Sequence, residues 1–373
     1  MSNIQKDLVV IGGGPAGYIA AIKAARLGAS VLLAEKKRVG GTCLNEGCIP
    51  TKYYVQSQHT ISALTNAASR GITISDATFT IDMGQAVKGK NRTVTKLVKG
   101  VEYLLKEAKV ETVNQKATII GEHSVQLEDG RVVEAKHILI TSGSIPARIP
   151  VEGIDSPLVI DSEKILDLEY LPKRLVVIGG GVIGVEFASI FNAFGSEVTI
   201  VEALPSLLQN FDNEQIDLIT KSLKRKGVTI YTGTTVNKVE TLKDEAKLTL
   251  SDGQIVSGDL VLLATGRVPN LSPLSDRCKI ETERKHIVID RYGATNIPTI
   301  YAAGDVTAKS MLAHAAYHMG EVVAHNICFN LGLLTGAKRE IKLDIIPSVV
   351  YSDLELASVG MSEQAAKATQ KYD

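Results

Sequence analysis

Cys43 and Cys48 stand five positions apart in the run GGTCLNEGCIPTK, residues 40–52. A thiol pair at that spacing can pack as two small hydrophobes, hold a metal with further ligands, or cycle between dithiol and disulfide. No second Cys or His pair lies at zinc-ligand spacing, so no metal site is expected. Four cysteines in 373 residues do not make a secreted disulfide scaffold, and redox cycling is favoured over simple packing. Cys278 and Cys328 have no chemical neighbours in the chain and read as packed core thiols. A thiolate is the attacking species, and a helix N-terminus is one environment that favours it. Pro50 and Lys52 suit the first turns of such a helix.

The pair follows a strand, glycine turn, helix, strand and acid. Asp7 to Ile11 is apolar, Gly12-Gly13-Gly14-Pro15-Ala16-Gly17 opens a stretch of helical spacing closed by Gly28, and Val31 to Ala34 leads to Glu35. The same order returns at a constant offset of 167 residues. Leu175 to Ile178 precedes Gly179-Gly180-Gly181-Val182-Ile183-Gly184, and Val198 to Val201 ends at Glu202, with Gly195 in register with Gly28. An isolated glycine turn recurs in ordinary loops. Here each copy follows a strand, opens a helix and reaches an acid 23 residues after its first glycine, close to the spacing of about 20 in dinucleotide folds. The first glycine permits the tight turn, the second lets a pyrophosphate approach, and the third lets helix and strand pack. The helix N-terminus meets the phosphates, and the acid accepts from ribose hydroxyls. Two such units imply two dinucleotides.

A nicotinamide passes hydride, whereas thiols exchange through mixed disulfides. Coupling the two calls for a flavin, so FAD is expected at the first site and NAD at the second. Glu202 would repel a 2′-phosphate, and no Lys or Arg follows it before Lys221, which favours NAD over NADP.

The elements that must position these residues are legible in outline. Residues 90–109 read as a helix with Val94, Leu97, Val98, Val101, Leu104 and Leu105 as its apolar stripe. Residues 116–127, 228–239 and 248–256 alternate like strands, with Asp129-Gly130 and Asp252-Gly253 as hairpin turns. Residues 144–153 and 266–273 resemble connectors between domains. Lys plus Arg and Asp plus Glu both number 41, so no global field attracts nucleic acid or anionic lipid. Lys23 and Arg26 interrupt the early apolar stretch, and a soluble, cytoplasmic chain is expected, with no membrane partner.

These motifs resemble those of the pyridine nucleotide-disulfide oxidoreductases, and within them the dihydrolipoamide dehydrogenases most closely. GGTCLNEGCIPTK resembles the redox-active segment, with Thr51 where Ser is commoner. TGRVPN (265–270), TIYAAGDV (299–306) and MLAHAAYHMGE (311–321) resemble later signatures, so the likeness runs over essentially the whole chain. It implies an α/β fold with two Rossmann-like dinucleotide-binding domains. The boundaries expected are 1–143 and 271–340 for the FAD-binding parts, 144–270 for NAD, and 341–373 for the start of an interface domain.

By that resemblance Cys43 is the interchange thiol and Cys48 the thiolate against the flavin. Lys52 lies near the flavin and pairs with Glu186, beside the nicotinamide pocket. FAD would contact Gly12, Gly14, Pro15, Ala16, Gly17, Glu35, Lys36, Gly41, Thr42, Lys52, Gln115, Ser142, Gly143, Ser144, Asp305, Met311, Leu312, Ala313 and His314. NAD would contact Gly179, Gly181, Val182, Ile183, Gly184, Glu186, Glu202, Val236 and Gly266. The activity implied is oxidation of dihydrolipoamide with reduction of NAD, on the lipoyl domain of a 2-oxo acid dehydrogenase or glycine-cleavage complex, by a homodimer. The family's C-terminal histidine and glutamate have no counterpart, since no histidine follows His325. Most of the interface domain is therefore expected to be absent and lipoamide turnover weak. A glutathione or mercuric type of disulfide reductase, or a flavin-binding assembly module, is the alternative.

Overall fold

A computed structural model describes residues 4–74 and 79–369. Residues 1–3, 75–78 and 370–373 of the expected segments lie outside them. The chain forms two compact units. The first comprises Met1–Ile49, Thr93–Ile145 and Arg267–Ile346, the second Pro50–Arg92, Pro146–Gly266 and Pro347–Asp373. Two of these changes, at 145/146 and 266/267, fall within the connectors read from Pro and Gly content.

The first unit is built on a seven-stranded sheet. Its central strand, Ile4–Ile11, pairs in parallel with Val31–Ala34 on one side and Val132–Ile140 on the other. Glu111–Val113 extends the sheet beyond Val31–Ala34, and Ile300–Ala302 pairs in parallel with Val132–Ile140. Ser124–Leu127 and Ala117–Ile119 complete it as antiparallel strands. Parallel strands covered on both faces read as continuous apolar runs. Leu8, Val9, Leu32, Leu33, Ile138 and Ile140 are all fully buried.

The second unit repeats the plan with five parallel strands, in the order Thr229–Tyr231, Glu197–Val201, Arg174–Ile178, Leu260–Leu263, Val159–Asp161. A separate antiparallel sheet of Val236–Thr241, Ala246–Leu250 and Ile255–Gly258 packs its own apolar face. In both units the strand preceding the glycine turn lies between its successor and a strand from much later in the chain. That is the topological switch point, where an open parallel sheet leaves a crevice beyond its strand ends.

The helix expected over 90–109 runs from Met83 to Glu107. Its start was missed because the signal is a cap: the Asp82 carboxylate accepts from the Gln85 N–H at 2.9 Å. Val94, Val98, Val101 and Leu105 form the buried line, while Leu97 and Leu104 are 39% and 41% exposed. Intervals of three and four carry the line along one face, and the two leucines fall at its margin. Both hairpin turns hold, with Gly130 at φ +86° and Gly253 at φ +84°.

Helix Pro15–Arg26 packs against helix Ala313–Asn330 with their backbones nearly touching. A Cβ on Gly320 would lie 2.4 Å from the Ala16 carbonyl oxygen, and one on Gly304 would lie 3.3 Å from the Ala16 Cβ. Glycine inside a helix costs about 1 kcal/mol, so its place at 320 is explained by this approach. Among the described residues no helix is long and apolar enough to cross a membrane.

Candidate active site

The two glycine turns have the same local geometry. Gly12 and Gly179, at φ +106° and +110°, turn the chain where only glycine is comfortable. Gly14 and Gly181 are the N-caps of Pro15–Arg26 and Val182–Phe194, both at φ −74° and ψ −173°, and neither receives a side-chain cap. Gly17 and Gly184 sit where a Cβ would meet the carbonyl oxygens of Gly12 and Gly179 at 1.9 Å. The acids close each loop. Glu35 accepts from Gly13 N–H at 2.7 Å and from Lys37 N–H at 2.8 Å. Glu202 accepts from Gly180 N–H and, at 2.7 Å, from Leu204 N–H.

Gly14 and Gly181 test whether this geometry suits a dinucleotide. A Cβ on Gly14 would meet only the Gly41 Cα, at 3.7 Å, and one on Gly181 would meet nothing within 4 Å. Neither fold nor φ demands glycine there, yet uncapped helix donors surround the open space, as a pyrophosphate requires. Alanine at either position is expected to lower stability by less than about 1 kcal/mol. The same change should weaken binding of FAD (Gly14→Ala) or NAD (Gly181→Ala) at least about tenfold. Flavin content and NADH titration read the effect, and unchanged binding would remove the argument from open space.

The cysteines sit in the first unit beside the first glycine turn. Gly41 lies against Gly14, where a Cβ on Gly41 would be 2.6 Å from the Gly14 Cα. It opens the short helix Gly41–Asn45, which carries Cys43, and Cys48 is the first residue of the 18-residue helix Cys48–Thr65. Both cysteines are partly exposed. Asn45 ties the intervening loop, its amide donating to the carbonyls of Val39 at 3.1 Å and Gly41 at 3.0 Å. Cys48 thereby stands at the positive end of that helix's dipole.

A second cluster in the same unit joins residues far apart in sequence. The Ser144 hydroxyl donates to Asp305 Oδ2 at 2.6 Å and accepts from Arg267 Nε at 2.8 Å. Arg267 also reaches Thr42 Oγ1 at 3.3 Å. Burial pushes the Asp305 carboxyl up from its ordinary value, opposed by the Ser144 hydroxyl and the Arg267 charge. Ser142 donates to the Asn270 carbonyl at 2.7 Å, and Gly143 turns at φ +69° with nothing near a would-be Cβ. Leu312 caps helix Ala313–Asn330, placing Ala313 and His314 in its first turn, and Met311 just before it is 38% exposed. Lys36 is exposed. Gln115 behaves differently: its amide donates to Asp129 at 2.7 Å, so its side chain serves a hairpin and only its main chain is left for a cofactor.

In the second unit Lys52 Nζ donates to both Glu186 oxygens, at 2.9 and 3.0 Å. Glu186 is only 5% exposed, and burial pushes its carboxyl up against the pull of Lys52 and of the Tyr351 N–H. Val236 is buried at the start of the antiparallel sheet, and Gly266 turns at φ +99° in open space. Tyr351 was missed in the sequence. It follows strand Ser348–Val350, donates from its N–H to Glu186 at 2.9 Å, and lies under Lys52 with its ring centroid 4.3 Å from Nζ. No spacing motif signals it, because its partners are 165 and 299 residues away.

A profile of the pyridine nucleotide-disulphide oxidoreductases matches residues 6–320. The chain is 35% identical over 368 residues to a dihydrolipoyl dehydrogenase of Bacillus subtilis (strain 168), covering 97% of this chain and 78% of that one. It is 38% identical over 330 residues to a dihydrolipoyl dehydrogenase of Acholeplasma laidlawii, covering 87% and 96%. Among solved structures, the HOCl-induced flavoprotein disulfide reductase RclA from Escherichia coli superposes with a TM-score of 0.86 at 30% identity, covering 97% of this chain and 79% of that chain. With two matched dinucleotide turns and a cysteine pair beside one of them, these likenesses make the chain a member of the pyridine nucleotide-disulphide oxidoreductase family, an oxidoreductase whose cofactors are FAD and NAD.

Proposed function

We propose that the chain oxidises the dithiol of a dihydrolipoyl group to its disulfide and reduces NAD, with Cys43 and Cys48 as the redox pair. The observation carrying this reading is the position of both cysteines in the first unit, Cys43 on the short helix that opens against the first glycine turn and Cys48 at the start of the next helix. FAD belongs at that turn, with Gly14 and Glu35 for its phosphates and ribose and Asp305 for its ribityl or phosphate region. NAD belongs at Gly181 and Glu202. Bound FAD and NAD would together supply the two-electron acceptor that restores the protein disulfide.

The chain's own chemistry is thiol exchange. A substrate thiolate attacks Cys43 Sγ of the Cys43–Cys48 disulfide, forming a mixed disulfide and releasing Cys48 as a thiolate. The second substrate thiolate then attacks the substrate's own bonded sulfur, closing the lipoyl disulfide and releasing Cys43. Lys52, one turn beyond Cys48 on the same helix, contributes a cation held in place by Glu186. A lipoyl domain of a 2-oxo acid dehydrogenase or glycine-cleavage complex is the proposed carrier of the dithiol. The cytoplasm is the proposed compartment, since a dithiol must cycle there rather than lock as a structural disulfide.

The likeness to a disulfide reductase favours the same exchange run toward thiol as a second reading. Steady-state assays in both directions decide. Dihydrolipoamide is expected to support reduction of NAD at least about thirtyfold more efficiently than of NADP, because the Glu202 carboxylate repels a 2′-phosphate. Equal use of the two nucleotides, or no turnover with dihydrolipoamide, would refute the reading.

A further inference from the structure

Each partner of the Lys52–Glu186 pair also touches one other residue, and it is the same residue. The Tyr351 main-chain N–H donates to Glu186 Oε1 at 2.9 Å, and its ring centroid lies 4.3 Å from Lys52 Nζ. We propose that Tyr351 is the positioning residue of this pair, its amide fixing the carboxylate and its ring face holding the ammonium.

The chain around Tyr351 is built to hold it there. Strand Ser348–Val350 pairs with Leu356–Ser358, and Val350 is fully buried. Two residues beyond Tyr351, the Asp353 N–H donates to Ser189 Oγ at 3.1 Å, one turn past Glu186 on its helix. The Asp353 carboxylate accepts from Ser62, on the helix that carries Lys52, and pairs with Lys226, both at 2.5 Å. The segment is thereby fastened to both helices that carry the ion pair.

Both contacts are needed for a physical reason. Glu186 is nearly buried, and its raised pKa means that the carboxylate depends on each donor it has. Lys52 retains 34% side-chain exposure, so a single ion pair would leave its flexible stem free to swing into water. An aromatic face beneath the ammonium removes that freedom. The inference deepens the proposed function, because Lys52 and Glu186 are members of the proposed redox site.

Trace acetylation of the purified holoprotein, read peptide by peptide in a mass spectrometer, tests the clamp without turnover. The exposed Lys88 and Lys96 serve as internal standards. In Tyr351→Leu the Lys52 amine is expected to acetylate about three- to fivefold faster relative to those standards, whereas Tyr351→Phe keeps the wild-type rate. Trifluorophenylalanine at 351 preserves the ring's shape and weakens its negative face, so it should label like the leucine variant even where leucine disturbs folding. Wild-type labelling in both the leucine and trifluorophenylalanine variants would overturn the proposal, as would a phenylalanine variant that labels as fast as leucine. Since acetylation does not depend on the cysteines, a failed clamp is distinguishable from a failed dithiol reading.

Discussion

Cys48→Ser is expected to lower NAD-linked dithiol oxidation by about a thousandfold or more, with flavin still bound. A hydroxyl at 48 cannot form the disulfide that a substrate thiolate opens, and loss of a covalent group of this kind typically removes several decades of rate. Cys48 begins a helix and is partly exposed, and serine suits a helix start at least as well as cysteine, so the fold has no reason to suffer. Three measurements separate the possible outcomes: NADH formation from dihydrolipoamide, the flavin absorption spectrum, and the long-wavelength band of a thiolate lying against oxidised flavin. Loss of turnover and of that band with retained flavin is the expected set. A Cys48→Ser protein that still oxidises dihydrolipoamide at a tenth of the wild-type rate would sink the dithiol mechanism.

The second large effect is structural. Gly17→Ala is expected to destabilise the first unit by about 3 kcal/mol or more and to abolish flavin retention. Alanine is intrinsically the better helix former by about 1 kcal/mol, so propensity alone predicts a gain. Contact decides otherwise, because the added Cβ would lie 1.9 Å from the Gly12 carbonyl oxygen and 2.7 Å from Thr141 Oγ1. The Thr141 hydroxyl already donates to the carbonyls of Gly12 and Ile11, at 2.8 and 3.1 Å, so relief requires moving helix and strand apart. A urea midpoint shift with loss of bound flavin is the expected readout, and a midpoint equal to wild type would show that the turn can yield. Gly184→Ala should act in the same way on the second unit, where its Cβ would be 1.9 Å from the Gly179 carbonyl oxygen.

What the sequence displayed was whatever rests on local spacing. The two turns, their acids and the cysteine segment are each contiguous, and chain geometry over a few residues leaves them few alternatives. The Met83 start of the long helix escaped because it depends on one aspartate cap ahead of a weakly apolar stretch. Leu97 and Leu104 escaped because a leucine at the margin of a stripe looks the same in sequence as one at its centre. Ser144 and Asp305 were nameable one by one only through family likeness, Arg267 lay unnamed inside the TGRVPN signature, and their shared hydrogen bonds needed three distant segments to be folded together. Tyr351 lay in a segment legible only by likeness to the opening of an interface domain, and its role had no signal, since a main-chain donor and an aromatic face leave no pattern of spacing.

The near-touching backbones at Ala16 and Gly320 bear on how firmly the starts of two helices are held when charge moves nearby. Passing a charge quickly requires that surrounding dipoles move little between the oxidised and reduced states. Two helices locked main chain to main chain cannot slide or tilt to follow such a change, so the amide dipoles at their starts are set once, during folding. A fixed orientation of those dipoles is thus written into the placement of a missing methyl group.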